Sequence, residues 1–430
     1  MKVLMLTWEY PPRIVGGIAR VVHDLSKVMI KNKDEVHVVT YKEGELPDYE
    51  LDKGVHVHRV TNFMINPNNF IDWIMQLNFN LVAKVNELIA KGEKFDVIHA
   101  HDWLVAYAAK TIKNSYGIPI VATIHATEAG RNSGVHNETQ RYINDTEWML
   151  TYEATEVIVN SNFMKNDIQR LFGLPFEKIN VVPNGINLNT YNGVERDYDF
   201  RRQYARDEEK IILFMGRLVH EKGIQVLIEA MTKILSHYND AKLIIAGKGG
   251  KFDELMAQAN ASGISDKVYF TGYLNAKQVT KMYKCTDIAV FPSTYEPFGL
   301  VALEGMLAEV PVVVSDIGGL NEIVTHGVDG LKSYAGNANS LADSILTLLY
   351  NQKLAATVVK NAVKKVKLEY NWPKITEDTT FVYKKAICQT VAEKQANEIV
   401  QEKAKKSRKV KQTDTEITNL LDYKKRSAYA

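Results

Sequence analysis

Short apolar runs recur along the whole chain, and each of them ends in small or polar residues. They include VLML, VHVV, DVIHAH, IPIVATIH, EVIVNS and INVVPNG in the first half, and IILFMGR, LIIAGKG, IAVFPS and VPVVVSD in the second. Most are apolar throughout rather than alternating, which is typical of strands covered on both faces. Stretches with helical spacing, such as residues 19–30 and 225–235, separate many of them. This alternation predicts parallel sheets in an α/β protein.

The strand–helix pattern runs through the chain twice. A polar segment, VERDYDFRRQYARDEEK, separates the two series, and 430 residues suit two domains of similar size. We predict a first domain over residues 1–195 and a second over residues 196–370, each a doubly wound parallel sheet. Residues 371–395 are expected to form a helix with Pro373 in its first turn, followed by a charged, mobile tail over residues 396–430.

Composition and charge narrow the class of protein. Hydrophobic residues make up 46% of the chain and the net charge is only +2, so no global surplus points to nucleic acid. The surplus is local, because residues 401–430 hold nine Lys/Arg against four Asp/Glu, which would suit an acidic surface or an anionic membrane. Cys285 and Cys388 form neither a disulfide framework nor a metal-ligand spacing, and the N-terminus carries no secretory signal. We therefore expect a cytoplasmic protein.

Two glutamates frame the strongest local signal, YEPFGLVALEGM. Glu296 follows a predicted strand, at the edge of a parallel sheet where ligands bind. Glu304 lies on a helix that is apolar on all sides, where an unpaired carboxylate is costly. A structural ion pair and a ligand contact explain Glu304 equally well, whereas Glu296 is placed to meet a substrate.

The segment FMGRLVHEKG carries two cations. Arg217 directly follows a strand, and Lys222 precedes Gly223 and the next helix. Two cations beside a helix N-terminus would hold a diphosphate, since the helix dipole also favours negative charge there. The alternative is a solvated turn, the common setting for a lysine beside a glycine.

Histidines recur at strand ends. His125 ends the strand in ATIHATEAGR, although a lone histidine in an apolar setting is more often structural than functional. In HAHDW, His99 and His101 share one strand face, but no third ligand lies nearby in the sequence, so we favour hydrogen bonding over metal binding. His56 and His58 in VHVH predict only an ordinary strand face.

The stretch WEYPPRIVGGIAR joins the first strand to the first helix. Pro11 and Pro12 stiffen the exit from the strand, and Gly16 and Gly17 lead into a helix that begins near Ile18. Because glycine has no side chain, the N–H groups here can lie against a phosphate at the positive end of that helix. The alternative is a tight turn that needs a positive φ.

Other nucleotide-binding motifs are incomplete or missing. GKGG at residues 247–250 lacks the spacing and the Ser/Thr of a P-loop, and no G-x-G-x-x-G follows the first strand. A dinucleotide-dependent dehydrogenase is therefore weakly supported. DYD at residues 197–199 lies in the polar linker with no strand before it, so it is a weak candidate for a metal site.

These segments give the chain a family likeness: it resembles the retaining, metal-independent glycosyltransferases of the GT-B fold, in family 4 and the neighbouring glycogen and starch synthases. The matching stretches are WEYPPRIVGGIARVVHDLS, HAHDW, TIHATEAGR, VVPNGI, GRLVHEKG, FPSTYEPFGLVALEGM and DIGGLNEIVTHGVDG. They cover nearly the whole chain in the expected order. The resemblance implies two Rossmann-like domains facing a deep cleft, with the helix after Trp372 crossing back onto the first domain.

The resemblance also implies a reaction and its participants. A hexosyl unit, expected to be glucosyl, would pass from a nucleoside-diphosphate sugar to an α-glucan or another glycan acceptor, without a cofactor or a metal ion. The implied roles are as follows: Gly16 and Gly17 approach the donor, Arg217 and Lys222 hold its diphosphate, Glu296 binds sugar hydroxyls, Glu304 binds the ribose, His125 lies beside the reacting sugar, and the backbone of Gly299 and Leu300 helps to bind phosphate.

Two departures from the family pattern limit what the resemblance implies. Ile14 stands where synthases that use ADP-glucose often carry lysine, which disfavours that subtype. Asn187 replaces the usual aspartate in VVPNGIN. Three alternatives stay open: a family 4 transferase with a lipid-linked or small-molecule acceptor, a GT-B epimerase, and a non-enzymatic glucan-binding scaffold.

Overall fold

Two parallel β-sheets, each flanked by helices, organise the protein and confirm the predicted α/β fold class. The structure is a computed structural model that describes residues 1–62, 67 and 69–427, with side chains described as far as residue 399. No helix in the described part of the chain combines the length and the apolar character needed to cross a bilayer.

The first sheet contains eight strands in the order β3-β4-β2-β1-β5-β6-β7-β8, and β3 is antiparallel to its neighbour. The strands are β1 (Lys2–Leu6), β2 (Glu35–Tyr41), β3 (Tyr49–Asp52), β4 (Val55–Val60), β5 (Val97–His101), β6 (Ile120–Ile124), β7 (Glu156–Val159) and β8 (Ile179–Val181). The helices between them are α1 (Ile18–Lys31), α2 (Phe70–Ala90), α3 (Ala106–Tyr116), α4 (Glu128–Arg131), α5 (Glu138–Glu153) and α6 (Asn162–Phe172).

The second sheet contains six strands in the order β11-β10-β9-β12-β13-β14, and its strand pairs are parallel. The strands are β9 (Lys210–Met215), β10 (Ala241–Ala246), β11 (Val268–Gly272), β12 (Ile288–Phe291), β13 (Val312–Ser315) and β14 (Leu331–Ser333). The helices are α7 (Tyr198–Arg202), α8 (Ile224–His237), α9 (Phe252–Ala261), α10 (Ala276–Cys285), α11 (Leu300–Leu307), α12 (Gly318–Ile323), α13 (Ala338–Tyr350), α14 (Gln352–Glu369) and α15 (Trp372–Ser427).

The helix α15 supplies part of the core of the first half of the molecule. Trp372, Val382 and Tyr383 are buried in one apolar cluster with Val3 and Met5 of β1. The segment that leaves the first half and the segment that returns to it lie side by side. The Ile186 N–H of the first donates to the Tyr370 carbonyl of the second over 2.8 Å. The helix therefore closes one face of the first sheet, as α1 does.

The same helix is longer than the sequence analysis predicts. Its backbone is helical as far as Ser427, beyond the end predicted at residue 395, whereas the mobility predicted for residues 396–430 stays a prediction. No glycine or proline follows Pro373, and lysine, glutamate and glutamine are frequent, so the local sequence favours a continuous helix. Residues 428–430 lie outside the described residues.

Candidate active site

The loop after β1 is organised by Glu9, a residue that the sequence analysis does not single out as functional. Its carboxylate is fully buried and accepts the N–H groups of Val15 at 2.5 Å, Gly16 at 2.9 Å and Ala19 at 3.2 Å. A negative charge at this place complements the positive end of the α1 dipole. The N–H of Gly16 thus already has a carboxylate partner inside the protein, whereas that of Gly17 is not among the Glu9 contacts.

Gly17 lies where the two halves of the molecule meet. Its φ of −74° is in the ordinary helical region, so the alternative of a turn that needs a positive φ is wrong for this residue. A Cβ atom here would lie 3.2 Å from Cδ1 of Leu300, at the start of α11 in the second half. The missing side chain therefore permits close approach of another element rather than an unusual backbone.

Lys222 and Glu296 form an ion pair at the carboxyl end of the second sheet. The Lys222 Nζ is 2.6 Å from the Glu296 Oε2, which also accepts from the Ser293 hydroxyl at 3.3 Å. Glu296 is only 8% exposed. Gly223, with a φ of +69°, brings the two loops together, because a Cβ atom there would lie 1.9 Å from the Pro292 carbonyl oxygen. The structure thus joins two residues that are 74 positions apart in sequence.

Arg217 follows β9 and leaves its guanidinium largely in solvent. The side chain is 56% exposed, and its described partner is Glu221 at 3.5 Å. An exposed pair at this distance holds an arginine weakly, so the guanidinium can turn to another anion. Glu221 also ties this loop to the next strand end, since its carbonyl accepts the Thr294 N–H at 2.8 Å.

Glu304 lies on α11 and faces the first half of the molecule. Its carboxylate is 2.9 Å from the Arg20 guanidinium on α1 and accepts from the Tyr283 hydroxyl at 3.3 Å. Burial raises the pKa of Glu304, and the positive charge of Arg20 opposes that rise. The structural ion pair allowed by the sequence analysis is thus present, and its partner comes from the other half of the chain.

The backbone before α11 offers a second place for an anion. Gly299 caps this helix with a φ of +110° and provides no side-chain cap, so the first N–H groups of α11 have no side-chain acceptor from the capping residue. Unsatisfied N–H groups at a helix start attract negative charge. Leu300 is the first residue of this helix, beside Gly17.

His125 belongs to a hydrogen-bonded chain of buried side chains. Its Nε2 is 3.2 Å from Nδ1 of His101, its Nδ1 is 3.4 Å from the Asn160 amide nitrogen, and its backbone N–H donates to Asp102 at 2.7 Å. Burial lowers the pKa of His125 to about 4, despite the nearby charge of Glu9. His125 is therefore a neutral imidazole near pH 7, with one ring nitrogen that donates a hydrogen bond and one that accepts.

The side chains of the HAHDW segment extend this hydrogen-bond network into the core of the first half. His99 bonds Thr123 and the Tyr383 hydroxyl of α15, both at 2.6 Å. Burial raises the pKa of Asp102 to about 7, although the His125 N–H opposes the rise. His99 and Asp102 thus make the hydrogen bonds that the sequence analysis favours for this segment. Asp197 likewise caps α7 and pairs with Lys281.

Direct contacts hold the two halves together around this cleft. The Glu322 carboxylate on α12 accepts the N–H groups of Asn162 at 2.9 Å and Phe163 at 2.7 Å, at the start of α6. The Ser161 hydroxyl donates to the Pro297 carbonyl at 2.7 Å. Strand-end loops of both sheets thus face one another across a short distance, and the Arg20–Glu304 pair also joins the two halves.

Comparison with known proteins places this geometry in a family. The model of the glycosyltransferase family 4 domain matches residues 15–190, and that of glycosyl transferases group 1 matches residues 195–365. An uncharacterized glycosyltransferase of Methanocaldococcus jannaschii is 41% identical over 90% of this chain and 99% of its own. A glycogen synthase of Mycobacterium tuberculosis is 32% identical over 89% of this chain and 94% of its own.

Solved structures show the same fold. The sucrose-phosphate synthase of Thermosynechococcus elongatus superposes with a TM-score of 0.78 at 22% identity, over 90% of this chain and 99% of that one. HepE of Anabaena, in complex with UDP-glucose, gives a TM-score of 0.70 at 22% identity, over 91% and 100%. The chain therefore belongs to the family 4 glycosyltransferases of the GT-B fold and is similar to the glycogen and starch synthases.

Proposed function

We propose that this transferase moves a glucosyl unit from a nucleoside-diphosphate glucose to an α-glucan acceptor, with retention of configuration at the anomeric carbon and without a metal ion. The observation that carries the proposal is the Lys222–Glu296 pair at the carboxyl end of the second sheet, with Arg217 beside it. Likeness to a glycogen synthase over most of both chains supports the α-glucan acceptor.

The proposed roles follow from the charges. Departure of a nucleoside diphosphate builds negative charge on phosphate and positive charge on the sugar. Arg217 and Lys222 stabilise the phosphate charge, together with the N-terminus of α11 and the N–H of Gly17. Glu296, held in place by Lys222, accepts hydrogen bonds from donor-sugar hydroxyls. Since the phosphate of the donor lies on the face from which the acceptor arrives, it takes the acceptor proton, and no carboxylate nucleophile is required.

The remaining predicted residues fit around the donor. Glu304 accepts from the ribose hydroxyls, and its contact with Arg20 holds the carboxyl group in place. His125 is neutral, so it contributes a hydrogen bond to the reacting sugar rather than a proton. Gly16 contributes to the loop through Glu9, whose carboxylate fixes the path of the backbone.

A donor and acceptor screen tests the proposal. UDP-, ADP- and GDP-glucose are each incubated with glycogen, malto-oligosaccharides, small polyol phosphates and lipid-linked sugars, and released nucleoside diphosphate is measured. We expect release that depends on an α-glucan, and an α-linked product by proton NMR. Transfer to another acceptor alone would replace the glucan assignment. Epimerised donor without transfer, or nucleotide binding without turnover, would refute the transferase mechanism.

Chelation tests the absence of a catalytic metal. Because Arg217, Lys222 and two helix termini supply the positive charge, we expect the initial rate of transfer to be unchanged in excess EDTA. The control is the same assay with added Mg²⁺ or Mn²⁺, which should not raise the rate. Complete loss of transfer in EDTA that Mg²⁺ or Mn²⁺ restores would contradict the metal-free mechanism.

A further inference from the structure

Three histidines gather on one face of the first sheet, away from the cleft. His37 on β2 lies opposite His56 on β4 in the strand register, and His58 follows two residues later on the same face. Glu35 precedes His37 by two residues and shares this face as well. The cluster begins at the amino end of β2, opposite to the strand ends that carry the catalytic residues. The sequence analysis predicts an ordinary strand face at His56 and His58, and the strand register adds His37 and Glu35 to that face.

The spacing of the ligand atoms suits a metal ion. Three ligand atoms lie within 4.8 Å of one another, one each from Glu35, His37 and His56. The Glu35 Oε1 is 3.1 Å from the His37 Nε2. Zinc takes nitrogen ligands at 2.0–2.1 Å and carboxylate oxygens at a similar distance, in tetrahedral geometry. Its ligand atoms are then roughly 3.3 Å apart, close to the spacing already present between Glu35 and His37.

The other ring nitrogens are already held by neighbours. The His37 Nδ1 is 3.1 Å from the His58 Nε2, and the His56 Nδ1 is 3.0 Å from the Tyr49 hydroxyl. Metal-binding histidines commonly have the second ring nitrogen fixed in this way, which selects the tautomer and orients the ring. Neither contact uses the Nε2 atom of His37 or His56, and Nε2 of His37 lies beside Glu35, the third residue of the group.

We infer that Glu35, His37 and His56 form a binding site for Zn²⁺ that joins β2 to β4. Two imidazoles and a carboxylate are a ligand set that zinc accepts, and the exposed side of Glu35 leaves a fourth position for water. The rings of His37 and His56 stack at 4.4 Å and 11°, so they tilt on binding to direct both lone pairs at one point. The ion has a structural role and is separate from the sugar transfer.

Lys2 competes with the ion for Glu35. Its Nζ is 2.7 Å from the Glu35 Oε1 and 2.5 Å from the Glu93 Oε2. Binding of Zn²⁺ displaces Lys2 from Glu35, while Glu93 retains it. Removing this ammonium group should therefore strengthen metal binding, an effect opposite in sign to the loss of a ligand.

Calorimetric titration of the full-length, metal-free protein with Zn²⁺ tests the site. The absorption spectrum of bound Co²⁺ gives the coordination geometry. We expect one high-affinity ion, at least about tenfold weaker binding in His56→Gln and Glu35→Gln, and tighter binding in Lys2→Met. His326→Gln, which removes a histidine from the second half of the molecule, is the matched control and should change nothing. Glu35 is exposed, so its variant folds even where a histidine variant does not.

Three results would contradict the proposed zinc site or one of its ligands. Absence of a one-to-one Zn²⁺ complex, or an affinity that His56→Gln and Glu35→Gln leave unchanged, would overturn the site. Weaker binding in Lys2→Met would show that Glu35 is not a ligand. Since the site lies outside the cleft, sugar transfer in the assays above is not needed to judge it.

Discussion

Glu296 and Lys222 are 2.6 Å apart in a setting where the carboxylate is almost fully buried. Each charge there depends on the other, because a buried charge without a partner is strongly destabilising. The pair also fixes the carboxylate in one orientation before any sugar arrives. At the scale of single residues, the candidate site is therefore preorganised by its own ion pair rather than by the substrate.

Replacing the carboxylate with an amide of the same shape isolates this effect. In Glu296→Gln, Lys222 loses its charged partner and the sugar hydroxyls lose a charged acceptor, so we expect kcat to fall by roughly 10²–10³. Glu254→Gln removes the exposed pair with Lys251 in the same half and should leave kcat unchanged. Normal turnover in a folded Glu296→Gln protein would refute the assigned role.

Glu147 provides a pH prediction beside the His125 network. Burial raises its pKa to about 8, and its carboxyl group accepts the Glu128 N–H. The unfolded chain releases this proton near pH 4.3, so the native state binds the extra proton between the two values. Stability therefore falls as the pH rises from about 4.3 to 8 and levels off above that.

The variant Glu147→Gln removes this titration and keeps an acceptor for the Glu128 N–H. We expect it to match the wild type near pH 4 and to gain stability relative to it up to about pH 8, measured by urea unfolding at pH 4, 6 and 9. Glu138→Gln, at an exposed site on the same helix, is the control and should show no such trend. A pH-independent difference between Glu147→Gln and the wild type would contradict the raised pKa.

Residue roles are the part of the site that the sequence reveals least. Arg217, Lys222, Glu296 and Glu304 are visible because they follow strand ends or interrupt an apolar helix. Glu9 and Arg20 are not, since their importance depends on contacts with Gly16 and with Glu304 that only the folded chain creates. Glu9 could have been noticed as an acid between a buried strand and a glycine pair.

At the scale of elements, the two halves meet through helix ends. Gly17 at the start of α1 lies against Leu300 at the start of α11. In Gly17→Val the backbone needs no change, and stability should change by about 1–2 kcal/mol at most. The new side chain instead pushes against Leu300, so we expect the rise in melting temperature caused by a nucleoside diphosphate to be largely lost.

The double variant Gly17→Val/Leu300→Ala is the matched test, because it removes the group that the valine meets. The ligand-induced rise in melting temperature should return at least in part. A single variant that melts far lower yet keeps the full ligand-induced rise would show that the turn itself, rather than the approach to α11, demands glycine.

Glu322 on α12 joins the second half to the start of α6 in the first half. Its carboxylate supplies acceptors for the first N–H groups of α6, an interaction that also benefits from the helix dipole. Loss of a contact worth about 1–2 kcal/mol shifts an equilibrium between closed and open forms by roughly 5–30-fold. We expect Glu322→Ala to lower kcat/KM for the donor by this factor and to enlarge the radius of gyration of the nucleotide complex in X-ray scattering.

Glu369→Ala, at an exposed acid of the same half, is the control for a general change of charge. It should leave both kcat/KM and the scattering curve as in the wild type. If Glu322→Ala also leaves both unchanged, the contact with α6 has no part in closing the cleft.

At the scale of the whole molecule, periodicity predicts the architecture well. The buried strands of both sheets appear as continuous apolar runs because helices cover both faces, and the order of strands and helices follows directly. What periodicity misses is the tertiary role of α15. The family resemblance implies that this helix crosses back onto the first domain, and its packing against β1 confirms it. That packing also shows that Trp372 and Tyr383 are among the residues that complete the core there.

That packing separates the parts of α15 that matter for stability from those that do not. Tyr383 is fully buried and bonds His99, so Tyr383→Ala should cost about 3–5 kcal/mol. The side chains of residues 391–399 are all exposed, and a chain ending at residue 400 keeps every buried contact that the structure describes. We expect this truncation to change stability by no more than about 0.5 kcal/mol and to leave transfer onto a soluble acceptor intact. Thermal melting and the transfer assay, run on both proteins side by side, decide the matter. A truncated protein that unfolds with the Tyr383→Ala variant, or that binds donor but no longer transfers sugar, would mean that residues 401–430 belong to the working enzyme.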